Sequence, residues 1–333
     1  MMKKQVIEVA FLTMILVSSV TVKVSAQQDQ PAYRKLAAKE ISVPLPDRDE
    51  GYLGRPKGMR FVHDRLYIVD SADDAVKIFS REGRFLKFFG RRGQGPGEFN
   101  SPGGLDVFEE RIYVADSSNR RIQIFDLSGK FLGAFPVSKR PIRVYVLSEN
   151  IILMVILASG HEPNEKMLLL TDFKGKTLRA MLDAHFSGRT YYDIFRNRFT
   201  VLRNDDGGFF VVHNCCRREI LRFDGRGDAA GSIKIDDRFP RWEVTMPLDG
   251  RRTKIEPLYH SCAGTGEYLY FVLPEIVPGR DVTPSKKIIL LDYAGRLAAE
   301  IDLPVAVTRI EPVGSRIYAL DTNYDLRIFE IAE

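Results

Sequence analysis

Cysteine is scarce: Cys215, Cys216 and Cys262 are the only three in 333 residues. That is too few for a disulfide scaffold, and no Cys-x-x-Cys pair offers zinc a chelating start. At most one pair can oxidise, either the adjacent two or Cys262 with one of them, and an unbridged arrangement stays equally open. Charge of one sign is also in short supply. The 49 basic and 44 acidic residues leave +5, too mild to argue for nucleic acid. Beyond the first residues no convincing amphipathic helix is found. No nucleophile elbow appears, and no Ser/His/Asp or Cys/His set stands out.

What is present begins with a leader. Met1-Met-Lys-Lys4 is basic, Val9 to Val22 is apolar apart from Ser and Thr, and Val24-Ser-Ala26 supplies a small-residue site. This is signal-peptide grammar, with an apolar run too short for a comfortable membrane span. The expectation is cleavage after Ala26, with an uncleaved anchor as the alternative. No cysteine follows the run, which argues against a lipoprotein. Removing residues 1–26 leaves 46 basic and 43 acidic residues, a net of +3. The chain is thus expected to be extracytoplasmic, with a leader (1–26), a linker (27–37) and one domain (38–333).

A repeat fills that domain. Leu66-Tyr-Ile-Val-Asp70 precedes Val76-Lys-Ile-Phe79, Ile112-Tyr-Val-Ala-Asp116 precedes Ile122-Gln-Ile-Phe125, and Ile317-Tyr-Ala-Leu-Asp321 precedes Leu326-Arg-Ile-Phe329. Phe209 to Asn214 followed by Ile220 to Phe223 fits the same frame, with Asn in place of Asp. The acid or amide stands nine residues before the Phe in three of the four and eight in the copy with Asp321. Divergent copies pair Ile151–Ile156 with Met167–Leu170 and Tyr268–Leu273 with Lys287–Leu291. Six units of about four short strands and roughly fifty residues have the size of propeller blades. The expected fold is all-β: a six-bladed β-propeller with four-stranded antiparallel blades. The last unit stops after its third strand, so Lys39-Glu-Ile-Ser-Val-Pro44 is expected to pair there as the closing N-terminal strand and cover the open edge.

Gly93-Gln-Gly-Pro-Gly-Glu-Phe99 resembles a phosphate loop but runs into Leu105–Phe108 and Arg111–Ala115, two strands and not a helix. Its glycines and proline instead carry the chain from one blade to the next. Residues 113–126, Tyr-Val-Ala-Asp-Ser-Ser-Asn-Arg-Arg-Ile-Gln-Ile-Phe-Asp, closely resemble the NHL repeat, and Gly93–Phe99 before Pro102 is similar to the inter-blade signature of NHL-like propellers, bacterial exported ones included. The resemblance is strong over 58–136, fair over 199–231 and 307–331, and weak elsewhere. It implies the fold. For function it implies little, because that family includes interaction scaffolds, sensors, nucleic-acid binders and a few lyases.

Turns between first and second strands, and between third and fourth, are uniformly tight, as at His63-Asp64, Glu109-Glu110 and around Gly83, Gly129, Gly175, Gly225 and Gly295. Every long insertion falls at the other end: residues 91–102, 158–165, 183–198, 236–259 and 274–285. Long loops gathered on a rigid scaffold are where binding usually sits. There Arg189, Tyr191, Tyr192 and Arg196 occupy one crossing, and Arg238, Arg241, Trp242, Arg251 and Arg252 the next. Arginine beside aromatics suits an anionic or sugar-like ligand or a protein hot spot; the bland account is loops packed down and arginines solvated. Asp70, Asp116, Asn214 and Asp321 end their strands and are expected to accept turn amides.

The NHL-like lyases hold a divalent metal on channel histidines, so that resemblance singles out His185, His213 and His260 for zinc or calcium should they converge. Beside Arg217 and Arg218, the Cys215-Cys216 pair has cations that favour a thiolate, although a plain turn is the simpler reading. The function expected is an exported, non-catalytic propeller binding a protein, glycan or small anionic ligand, with no cofactor and no nucleic acid. The alternative is a metal-dependent lyase or hydrolase at the channel mouth.

Overall fold

Each copy of the repeat becomes a meander of antiparallel strands in the computed structural model, which describes residues 21–24, 33–44, 51–156, 164–204, 206–276 and 282–332. Most of the leader, residues 27–32 of the linker, Asp205, most of the 158–165 insertion and the tip of the 274–285 insertion lie outside the described residues. Two strands come first, β1 (Thr21–Val24) and β2 (Arg34–Ile41). Four sheets of four follow in chain order. The first holds β3 (Pro56–Val62), β4 (Arg65–Asp70), β5 (Ala75–Ser80) and β6 (Phe85–Phe89). The second holds β7 (Leu105–Phe108), β8 (Arg111–Asp116), β9 (Arg121–Asp126) and β10 (Phe131–Pro136). The third holds β11 (Pro141–Ser148), β12 (Ile151–Ile156), β13 (Lys166–Thr171) and β14 (Thr177–Asp183). After the helix α1 (Thr190–Arg196) comes the fourth, with β15 (Phe199–Arg203), β16 (Phe209–His213), β17 (Glu219–Phe223) and β18 (Ala229–Lys234).

The remaining strands break the pattern. β19 (Trp242–Leu248) and β20 (Arg251–Ile255) form a hairpin, with β1 paired to β19 in a three-stranded sheet. Then come β21 (Ser261–Gly264), β22 (Tyr268–Glu275), β23 (Thr283–Asp292), β24 (Leu297–Asp302), β25 (Val307–Val313), β26 (Arg316–Asp321) and β27 (Leu326–Ala332). These seven and β2 make one continuous eight-stranded sheet, ordered β21-β22-β23-β24-β2-β27-β26-β25.

The expectation of six four-stranded blades is therefore corrected. The propeller consists of four such sheets and one long sheet that curls towards a barrel, its end strands β21 and β25 lying against each other. The cause is β2. It pairs antiparallel with β27 from Ala37 to Ile41, which is the N-terminal closure anticipated, although the strand begins five residues earlier than Lys39. It also pairs parallel with β24 from Arg34 to Ala37. A strand bonded on both edges fuses what would otherwise be two separate sheets.

Second strands are buried almost end to end in β4, β8 and β26. Sheets stack face to face on both their sides, so these strands are continuous apolar runs and not alternating ones. Tyr67, Val69, Val76 and Ile78 of the first sheet share a core with Leu105, Val107, Ile112 and Val114 of the second. The recurrent Tyr locks neighbouring sheets together. Tyr67 donates its hydroxyl to Leu127 O (3.1 Å), and Tyr318 donates to Arg81 O (2.9 Å), each on the following sheet's third-to-fourth turn.

The glycines of those turns press on the sheet before. Gly175 has φ +81, and a Cβ there would stand 1.9 Å from Pro136 O. Gly175→Ala combines left-handed strain with a backbone clash and is expected to cost about 2–4 kcal/mol. The measurement is a urea melt; a midpoint equal to wild type would show that this contact contributes nothing.

Two further expectations change. The 183–198 insertion, expected without a helix, forms α1, with Asp193 in its first turn accepting from Ser187 Oγ (2.7 Å) and from the Ser187 and Arg189 amides. The 236–259 insertion is the β19–β20 hairpin and not a loop. At seven and five residues these elements are too short to declare themselves by periodicity.

Candidate functional site

Long crossings and second-to-third turns meet at one end of the propeller. Arg121 donates to Gly95 O and Glu98 O (2.8 Å each), and Asn119 donates to Gly93 O (2.9 Å), fastening the 91–102 crossing to the turn of its own sheet. Asp70 accepts from the Gly54, Arg55 and Ala72 amides (2.7, 2.8 and 3.0 Å), so it ties the entering crossing as well as the turn that follows it. Asp116 similarly accepts from Asn100 N (2.8 Å) and from Asn119, Arg121 and Gln123. Asp321 holds the Asn323 and Asp325 amides and Arg327. At Asn214 the backbone is what pairs, donating to Arg198 O and accepting from Leu258 N.

The loop arginines and aromatics singled out by sequence are mostly engaged within the protein. Arg238 forks onto Asp236 and Arg241 pairs with Asp237 (2.9 Å). Arg189 lies 4.7 Å over the Tyr192 ring and donates to Thr253 Oγ1 and Leu248 O. The Tyr191 and Tyr192 amides donate to Asp249, which seats α1 on the tip of the β19–β20 hairpin. Trp242 packs against a buried core and Arg196 approaches the Tyr192 ring at 6.0 Å. Arg251 and Arg252 stand exposed on β20.

The three histidines do not gather. His185 Nε2 is 3.6 Å from Asp193 and its ring sits edge-on to Tyr192. His213 is buried beside Phe199, and burial pushes its pKa down to about 4. The pKa of His260 is likewise pushed down to about 4, by burial and then by Arg309 and Arg198. Among the described residues no group of three His, Cys, Asp or Glu side chains is placed to hold a metal ion.

The strongest charge pattern lies elsewhere, around the axis. Around it β3 lies against β7, β7 against β11, β15 against β21, β21 against β25 and β25 against β3, and Arg203 of β15 reaches Val146 O of β11 (2.9 Å) to close the ring about a central channel. Midway down, Asp106 on β7 is fully buried, accepts from Arg60 Nε (3.1 Å) and the Val146 amide (2.9 Å), and pairs with the Arg203 guanidinium at 3.1 Å. Glu311 on β25 lies 3.6 Å from Arg60, and Arg60 stands 5.9 Å over the Tyr145 ring. Arg60 still exposes 26% of its side chain, so the bore admits water. Against the cost of burial, Glu311 and Asp106 hold the Arg60 pKa above its usual value. This layer is compensated.

Above it, where the same strands begin, the layer is cationic. Lys57 is the second residue of β3, Arg143 the third of β11 and Arg309 the third of β25, and Arg198 and His260 immediately precede β15 and β21. Arg143 donates to Lys57 O (3.1 Å), passing the start of β7, where a Cβ on Gly104 would come within 3.5 Å of its Cγ. Arg309 makes no ion pair among the described residues; burial and the Arg143 guanidinium pull its pKa down to about 9. It is charged at neutral pH all the same. Lys57 is lowered by burial and by Arg55, Arg309 and Arg143, all cations. A half-buried cation with no ion pair among the described residues, as at Arg309, is costly unless an anion completes it.

A different concavity, about 510 Å³, opens at the tight-turn end between β2 and the β21–β22 turn. Among the described residues Arg34 is its one lining cation, with Glu267 also in the wall and apolar neighbours such as Leu36, Tyr270 and Ile331. The channel mouth has the stronger chemistry.

Sheets ringed around such a channel define a β-propeller. The chain belongs to the family described as Domain of unknown function (DUF4934), whose model matches residues 19–216. The likeness of residues 113–126 to the NHL repeat remains one of motif, since DUF4934 is the family matched. No curated protein matches the chain. Among solved structures it is similar to a candidate exported protein from Bacteroides fragilis, at 12% identity over 89% of this chain and 95% of that one, with a TM-score of 0.60. A DUF4221 family member from Bacteroides vulgatus aligns at 11% identity over 93% and 98%, with a TM-score of 0.59. Virginiamycin B lyase from Staphylococcus aureus aligns at 12% over 90% and 100%, with a TM-score of 0.52. At such identities the likeness is one of fold alone.

Proposed function

We propose that this protein is an extracytoplasmic, non-catalytic binding propeller that takes a small anionic ligand, or the anionic group of a protein or glycan, at the crossing end of its central channel. The observation that carries the reading is the ring formed by Lys57, Arg143, Arg198, His260 and Arg309 above a compensated layer. Guanidinium groups recognise carboxylate, phosphate and sulfate through paired hydrogen bonds. The basic start and apolar run of the leader support export, and among the described residues no helix is long and apolar enough to cross a membrane. The exposed Arg251 and Arg252 give a larger partner further cations at the same end.

The test is thermal unfolding with inorganic phosphate, citrate and a sulfated disaccharide. Wild type is expected to melt higher with at least one of them, in a manner weakened by salt. Arg309→Met removes a cation that makes no ion pair among the described residues, so it is expected to abolish that rise while stabilising the ligand-free protein by about 1 kcal/mol. No stabilisation by any of the three anions, or an unchanged anion response in the variant, would sink the reading.

A further inference from the structure

The second-to-third turn of the fourth sheet is Asn214-Cys215-Cys216-Arg217-Arg218, and it brings the two adjacent sulfurs to 3.0 Å. A disulfide needs about 2.05 Å, so the sulfurs must close by about 1 Å to bond. The turn is held from outside. Cys215 bridges to Pro257 through its backbone, the Cys216 amide donates to Glu256 O (2.9 Å), and Cys215 Sγ faces Phe195 O of α1 at 3.4 Å. Cys216 has φ +63 and is half-buried against the apolar cluster of the β19–β20 hairpin (Val244, Met246, Leu248 and Ile255), whereas Cys215 is buried.

The two thiols are not equivalent. Cys215 hydrogen-bonds Cys216 and holds its pKa below the ordinary thiol value, with further help from the Glu256 backbone contact and Arg196. The same contact and burial push Cys215 upward. The cation concerned is Arg196 of α1, not the neighbouring arginines suggested by sequence: Arg217 pairs with Glu219, and Arg218 donates to Phe239 O. Cys262 sits on β21 in a separate core cluster, where burial alone raises it.

We propose that Cys215 and Cys216 form a dithiol–disulfide switch, with Cys216 as the attacking thiolate and Cys215 as the resolving thiol, oxidised by a low-molecular-weight disulfide. The Cys216 thiolate attacks one sulfur of RSSR, forming a mixed disulfide and releasing RS⁻. Cys215 passes its proton to that thiolate and attacks Cys216 Sγ. The Cys215–Cys216 bond forms, the second RS⁻ leaves, and the pair has given two electrons to reduce one RSSR to RSH and RS⁻. The product is an eight-membered ring within the turn. Oxidation removes the thiolate that Arg196 faces, so α1 and the β19–β20 hairpin it rests on feel the change.

The experiment is intact-mass analysis of reduced, folded protein after exposure to oxidised glutathione. Wild type is expected to lose two hydrogens and carry no glutathione, with Cys262 unmodified. Cys215→Ser cannot resolve the intermediate and should accumulate one glutathione at Cys216. Cys216→Ser should react about tenfold more slowly or less. As a second measurement on unaltered protein, phenylarsine oxide, which bridges two neighbouring thiols, is expected to bind one to one and to block the oxidation. Wild type that keeps three free thiols, a bond that includes Cys262, or equal reaction rates in both serine variants would each overturn the proposal.

Discussion

Replacing Asp106 with leucine is expected to destabilise the protein by about 3 kcal/mol, because it leaves two guanidinium groups without their shared counter-charge. Asp106 is fully buried, accepts from Arg60 and the Val146 amide and pairs with Arg203, so one substitution takes a partner from groups on three different strands. Arg60 and Arg203 keep 26% and 31% of their side chains accessible, and water in the bore places the cost at the lower end of the range for broken buried pairs. Denaturant unfolding provides the check, with the midpoint falling and the slope unchanged. Changing Asp106, Arg60 and Arg203 together to apolar residues is expected to recover much of the loss. A single variant as stable as wild type would show that the layer is solvated and does not organise the channel.

That network also marks where sequence reading stops. The frame with Tyr67, Tyr113 and Tyr318 was legible because sheet-to-sheet stacking forces the same buried strand to recur at fixed spacing. The fusion through β2 was not, because strand grammar says that Arg34–Ile41 can pair but not that both of its edges will. The channel residues were missed for another reason. Lys57, Arg143 and Arg309 lie on three different strands, more than 80 residues apart in sequence, and only ring closure brings them together. A signal was available in retrospect: charged residues recur near the start of first strands, where a core-facing strand has no use for them. The loop arginines misled in the opposite sense. Asp236 and Asp237 precede Arg238 and Arg241 closely enough to neutralise them locally, and the structure pairs them so.

A chain lacking residues 27–41 is expected to melt at least about 10 °C below wild type, or to aggregate, because β2 serves two edges and not one. Its loss would unpair β24 from Ala299 to Asp302 and β27 from Ile328 to Ala332. It would also strip Leu36 and Ala38 from the core between the halves of the long sheet, and break Tyr33–Glu300 and Glu40–Arg327. Losing several kilocalories of apolar burial exceeds what the remaining contacts of a marginally stable domain can absorb. Differential scanning calorimetry reads the effect, and a chain lacking only 27–32 serves as the control that should melt normally. A peptide of residues 33–44 added in trans should restore part of the lost stability, since a paired strand binds through its backbone whether or not it is covalently attached. Equal melting of the full chain and the 27–41 deletion would mean that the eight-stranded sheet holds without its middle strand. The parallel pairing of β2 with β24, which makes that sheet continuous, would then have to be abandoned.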